Sequence, residues 1–185
     1  MGIIVADCND DGCPINKGNG GKETMNGSEI FIFDFDGTII DSDHRQLSNA
    51  DGSINLDHWR ENCTKEKIFQ DQLMPLYEYA RRLSIAGFDC YGCTARVLSK
   101  HDWEFFFMAN LDKIFKKIIS RPVGCTTKDS ELKSKQLRHF FNFAQFKDRE
   151  KVFIDDNEDN RIALARMGAT VYNPQNSDWV NSLTI

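Results

Sequence analysis

The chain has 185 residues and a formal net charge of −5, with 41% hydrophobic and 28% charged residues. That size suits one domain with a real core, and the acidic balance argues against extensive sequence-independent clamping of nucleic acid while leaving room for a local basic pocket. No apolar run approaches the ~18 residues of a membrane span, and six cysteines without compact disulfide spacing or a secretory signal pattern point to a reducing cytoplasm.

Residues 1–28 hold Cys8, Cys13 and a Gly/Asn/Lys-rich stretch, Lys17 to Lys22. Such a segment has little to bury, so a disordered tail is expected, with the remaining domain at 29–185. No second Cys/His pair follows at zinc spacing. From Ile30 to Phe35 the chain is apolar and aromatic, as a strand buried on both faces of a parallel sheet would be. Asp34 and Asp36 interrupt it near its end. Side chains two apart on a strand share a face, so the two carboxylates should project together. Holding them side by side is costly unless a cation or a shared proton compensates, and hard oxygen ligands suit magnesium. Gly37 lets the backbone turn sharply beside a ligand. The plainer alternative is a strand entering an Asp-Gly turn.

Residues 42–71 are polar, with Asp51-Gly52 as a hairpin signal, and form a short flap rather than a separate lid domain. His44, Arg45, His58, Trp59 and Arg60 either rim a site there or decorate a surface. Pro75 opens a helix over 76–86, stopped by Gly87. A strand, Phe88 to Cys93, ends at Thr94-Ala95-Arg96; its Cys90 and Cys93 read as neighbouring buried thiols, since a redox CxxC usually opens a helix. Ser99 to Lys117 reads as a second helix. Three consecutive phenylalanines (Phe105 to Phe107) cannot share one stripe of it, which leaves part of it to meet the flap or a partner. A strand over 118–123, a polar loop, and a third helix over 130–146 follow, with Leu137, Phe140, Phe141 and Ala144 apolar and Lys133 and Lys135 on the exposed side. The strand 152–154 runs into Asp155-Asp156, a helix spans 160–167, and 170–172 is a last strand.

Strands alternating with helices predict an α/β fold with a parallel sheet, whose ligands bind beyond the carboxyl ends of the strands. Asp34, Asp36, Thr94, Asp155 and Asp156 then meet at one edge. A carboxylate cluster, a hydroxyl and a lysine suit a phosphoryl group: one carboxylate can act as nucleophile and another can move protons.

The ordered set Asp34-Phe-Asp36-Gly-Thr, a strand ending in Thr94, a helix-borne lysine and strand-Asp155-Asp156 resembles the four motifs of the haloacid dehalogenase superfamily, over residues 29–174. The resemblance implies a three-layer Rossmann-like core without a large cap domain, and a Mg2+-dependent phosphomonoesterase. It implies Asp34 as nucleophile, Asp36 as general acid/base with its backbone carbonyl on magnesium, and Thr94 on the phosphoryl oxygens. Asp156 would be the main acidic metal ligand, with Asp155 beside it. Lys133 fits the lysine, with Lys128 and Lys135 as competitors. Thr94-Ala95-Arg96 is similar to the Ser-Gly-Arg of the 3′-phosphatase domain of polynucleotide kinases, which would put Arg96 on a terminal phosphate; the alternative is a salt bridge that caps the loop. The substrate implied is a nucleotide or a nucleic-acid 3′-phosphate, with a small-molecule phosphatase, or an idle binding module using the Phe105–Phe107 surface, as the other readings.

Overall fold

In the computed structural model, residues 29–50 and 55–176 are described. The expected tail and the Asp51-Gly52 signal lie outside them. Five parallel strands form the central sheet: β1 (Ile30–Phe33), β4 (Asp89–Cys93), β5 (Ile118–Ile119), β6 (Lys151–Ile154) and β7 (Thr170–Tyr172), in the order β5-β4-β1-β6-β7. Two further strands, β2 (Ile40–Asp41) and β3 (Gln72–Leu73), pair antiparallel and close the base of the insertion between them.

The central strand sorts its side chains as a strand buried on both faces must. Phe31 and Phe33 join Cys90, Val152 and Ile154 on one side, while Ile30 and Ile32 join Cys93 and Phe153 on the other. The first face is covered by α3 (Pro75–Ile85), α4 (Lys100–Met108) and α5 (Leu111–Ile114), and the second by α6 (Asp129–Asn142) and α7 (Glu158–Ala165). This is the three-layer α/β core the sequence predicts. Cys90 and Cys93, three apart, fall on opposite faces as free buried thiols. Gly92 is required by packing: a Cβ there would sit 2.6 Å from the Phe35 ring.

Several expected boundaries shift for local reasons. The helix expected over 99–117 is two helices, because Asn110 turns left-handed (φ 56°), which asparagine tolerates better than most residues. Phe105 and Phe106 are buried and Phe107 is exposed; Phe105 meets Phe69 at the end of the insertion, with ring centroids 6.3 Å apart. β5 stops at Ile119, short of Pro122, which has no N–H to give a ladder. α6 ends at Asn142 where Phe143 becomes extended, so Ala144 is exposed instead of joining the apolar packing. Asn157 caps α7 by accepting from Asn160 N, which starts that helix two residues earlier than expected. The insertion carries two short helices, α1 (Leu56–Glu61) and α2 (Lys65–Ile68). Among the described residues no helix is long and apolar enough to cross a membrane.

Candidate active site

Parallel pairing sets the site. Phe33 is in register with Gly92 of β4 and with Ile154 of β6, so Asp34, Thr94 and Asp155 leave the same edge of the sheet within a residue or so of one another. Asp34, Asp155 and Asp156 each offer a carboxylate oxygen within 4.8 Å of the others. Lys133, on the first turns of α6, reaches into this cluster. Its Nζ donates to Asp34 Oδ1 and to Asp155 Oδ2, both at 2.6 Å. The expectation that position 133 is exposed is therefore corrected: Lys133 is 1% exposed, and its ammonium is drawn in by two buried carboxylates. Lys128 and Lys135 pair with Asp159 and Glu131 on the surface, away from the cluster.

Asp155 is tied on all sides. Besides Lys133 it accepts from Asn160 Nδ2 (3.1 Å to each oxygen) and from Asn157 N (2.8 Å). Arg161 donates to the carbonyls of Asp155 and Asp156 at 2.7 and 2.5 Å and fixes that turn. The Asp156 side chain is the more open of the pair. Gly37 explains how the first turn approaches it: at φ 71°, a Cβ would lie 2.5 Å from Asp156 Oδ2.

Electrostatics separate the carboxylates. Burial, reinforced by Asp155 and Asp36, holds the Asp34 carboxyl well above the usual range despite Lys133. Asp156 is pushed up to about 6, chiefly by burial and then by the charge of Asp155. Three carboxylates facing one ammonium leave negative charge uncompensated. A divalent cation with hard oxygen ligands fits that donor set.

Asp36 stands apart. Burial would raise its pKa, yet Arg96 and Ser42 outweigh it and hold the carboxyl below its ordinary value. Ser42 Oγ donates to Asp36 Oδ1 at 2.6 Å, and Arg96 donates from Nε to Oδ2 at 3.2 Å and from Nη2 to Oδ1. Its carboxylate is thus engaged by Arg96 and Ser42, and it is not among the three carboxylates that offer a shared metal position. The remaining nitrogen of Arg96, Nη1, donates to Asp102 Oδ1 at 2.9 Å. The Arg96 guanidinium is buried and bonded to two carboxylates, the arrangement that the salt-bridge alternative describes. Thr94 is fully buried after β4, its Oγ1 accepting from Arg96 N at 3.0 Å.

Of the insertion residues, Arg45 is fully buried against Asp71, and Trp59 is half-buried under it. His44 Nε2 donates to Lys67 O, while Arg60 is an exposed partner of Asp57. Sequence reasoning passed over Ser42, Asp71, Asp102 and Asn160. Only Asp102 carried a signal, the Ser99-x-x-Asp102 capping box of α4. A cavity of about 570 Å³ is lined by Asp41, Asp43, His44, Gln70 and Gln72 at the base of the insertion. None of the clustered carboxylates lines it, so the chemistry is located by the strand ends.

A family model described as Bacteriophage T5 5'-deoxynucleotidase matches residues 22–182. The chain belongs to that family. A 5'-deoxynucleotidase of Escherichia phage T5 is 40% identical over 82 residues, 42% of this chain and 34% of that protein, so the match spans about a third of the relative's length. Among solved structures, a haloacid dehalogenase-like hydrolase from Streptococcus pneumoniae superposes with a TM-score of 0.57 at 14% identity, covering 85% of this chain and 92% of its own. The Pnkp1/Rnl/Hen1 complex gives 0.52 at 16% identity, over 79% of this chain and 45% of that one. These likenesses show the haloacid dehalogenase-like fold, the one the motif order implied.

Proposed function

We propose that this protein is a magnesium-dependent phosphomonoesterase that hydrolyses deoxynucleoside 5′-monophosphates through a phosphorylated Asp34. The observation that carries the reading is the grouping of Asp34, Asp155 and Asp156 around Lys133, with Asp36 two residues from Asp34 but in a separate electrostatic setting. Membership of the deoxynucleotidase family supports the substrate class. Arg96 is bonded to Asp36 and Asp102, so the family match rather than the Thr94-Ala95-Arg96 triplet supports the choice of substrate class.

Asp34 Oδ1 accepts from Lys133 Nζ, and the ionised Asp34 carboxylate is the nucleophile in this reading. It forms a bond to phosphorus as the ester P–O bond breaks. Asp36 stays ionised in the substrate-free site, so it first accepts a proton brought in by the monoester, whose second ionisation lies near about pH 6. It passes that proton to the leaving nucleoside oxygen, then takes one from the water that attacks phosphorus. The bond between Asp34 and phosphorus breaks, Asp36 gives its proton to the departing phosphate or to solvent, and both carboxylates are regenerated. Lys133 neutralises charge on the nucleophile, and the Thr94 hydroxyl is the donor for a phosphoryl oxygen. Magnesium would be held by Asp34 and Asp156, with Asp155 behind them and the Asp36 carbonyl alongside, and would supply cationic stabilisation of the phosphoryl oxygens.

The test is phosphate release with magnesium and with EDTA, from deoxynucleoside 5′-monophosphates, ribonucleotides, sugar phosphates and a DNA carrying a 3′-phosphate. Magnesium-dependent release favouring the deoxynucleotides, abolished in Asp34→Asn, is expected. Preference for the DNA end would replace this reading with end repair. Undiminished release by Asp34→Asn would remove the covalent mechanism.

A further inference from the structure

The insertion between β2 and β3 is joined to the catalytic edge by ions, not by apolar packing alone. Arg45 donates to Asp71 through Nε (2.8 Å) and Nη2 (2.6 Å), and Asp71 in turn lies 3.7 Å from Arg96 Nη1. The Trp59 ring faces both guanidiniums, with its centroid 4.5 Å from Arg45 Cζ and 5.2 Å from Arg96 Cζ. Asp102 has one oxygen committed to the α4 cap, accepting from Ser99 N and Oγ at 2.8 and 2.6 Å, which leaves Oδ1 for Arg96. Two guanidiniums thus serve three carboxylates: Asp36, Asp71 and Asp102. Only the Asp36 side chain has appreciable solvent access, at 25%. The others are at 1% or less.

We propose that Arg45 and Trp59 are positioning residues for Asp36, acting through Arg96. The reasoning is one of competition. Asp71 is buried and must keep a cation. Arg45 satisfies both of its oxygens, so Arg96 remains free to grip Asp36 with two nitrogens. His44 Nε2 is 3.5 Å from Asp71 Oδ1, but it is engaged by Lys67 O and is charged only when protonated. Without Arg45, the nearest permanent cation left to Asp71 among the described residues is Arg96, and each move toward Asp71 loosens Asp36. Trp59 limits that move by holding the plane of the Arg96 guanidinium, as an aromatic face does for arginine. The insertion is thereby a fixed wall of the site that sets the angle of the proton-transferring carboxylate.

This inference rests on the phosphatase reading, and leaving-group dependence separates the two. A deoxynucleoside oxygen needs a proton as it departs, whereas p-nitrophenolate from p-nitrophenyl phosphate needs little. Both substrates would be followed by kcat/KM with saturating magnesium in the parent, Arg45→Met, Arg45→Met/Asp71→Asn, Trp59→Leu and Trp59→Phe. For Arg45→Met the deoxynucleotide value should fall about tenfold further than the p-nitrophenyl phosphate value, a fraction of what a general acid contributes. Removing the competing charge with Asp71→Asn should restore most of that difference. Trp59→Leu should move the ratio in the same direction and Trp59→Phe should largely keep it. Equal falls on both substrates, or a double variant worse than Arg45→Met, would mean a purely structural role and overturn the inference. Should Arg45→Met fail to fold, the Trp59 pair decides the same question by the same ratio. A folded parent inactive on both substrates would remove the phosphatase reading itself, and the inference with it.

Discussion

Replacing Lys133 with methionine keeps most of a buried stem and deletes one charge from the centre of the site. Among the described residues its ammonium is the only cation bonded to the carboxylates of Asp34 and Asp155, at 2.6 Å from each, and none of the three side chains is more than 8% exposed. Removing one member of a buried ion pair costs about 3–5 kcal/mol, because a desolvated charge is left behind. Here two carboxylates lose their partner together, but Asp34 is already inclined to protonate, and that escape limits the loss. The expected destabilisation is therefore about 3 kcal/mol at neutral pH in EDTA. Urea unfolding reads it directly. The deficit should shrink as pH falls, because a proton on Asp34 stands in for the lost ammonium charge, and shrink again when magnesium is added. Turnover should fall by about 10²–10³ as charge on the phosphoryl group loses a donor. Lys128→Met and Lys135→Met should alter neither stability nor turnover. A Lys133→Met protein within about 0.5 kcal/mol of the parent in EDTA would refute the view that this ammonium holds the acidic cluster together.

Gly37→Ala adds a methyl where the backbone is left-handed and Asp156 Oδ2 would be 2.5 Å away, so magnesium affinity measured by titration should drop at least about tenfold, with about 1–2 kcal/mol of backbone strain. Unchanged affinity would mean that the turn does not approach the metal site. Gly92→Ala drives a Cβ into the Phe35 ring and should cost about 1–3 kcal/mol in denaturant unfolding while leaving metal affinity intact. The metal-free protein should lose stability as pH rises from about 4 to about 7: Asp34 and Asp156 keep protons in the folded state that the unfolded chain has released, so the folded state binds more protons across that window. Saturating magnesium should flatten the curve. A thermal midpoint in EDTA that climbs steadily through the same window would contradict the raised carboxyls.

The parts legible in the sequence are those governed by short-range pattern. The run Ile30 to Phe35 announces a doubly buried strand because the side chains of Ile30 to Phe33 are all apolar, and parallel pairing then brings Asp34, Thr94 and Asp155 to one edge. The elements that moved did so through single residues whose effect is tertiary or conformational, as with the left-handed turn at Asn110. Lys133 looks like any polar helix position. It is buried because two carboxylates from distant strands lie 2.6 Å from its Nζ, and no periodicity carries that information.

The hardest case is Arg96, where a motif suggests one partner and the fold supplies others. A forked donor suits phosphate and carboxylate alike, so the residue type beside Thr94 does not decide between them. What decides is the supply of buried carboxylates around it: Asp36 from the first turn and Asp102 from the α4 cap, with Asp71 from the far end of the insertion held off by Arg45. Those three come from separate parts of the chain, and Asp71 carries no local signal at all. Beside these acids the same arginine has carboxylate partners within hydrogen-bond reach, as the proposed positioning of Asp36 requires. The proposed positioning role rests on charge balance in the folded state, which is why the charge-removing double variant tests it more sharply than loss of Arg96 itself.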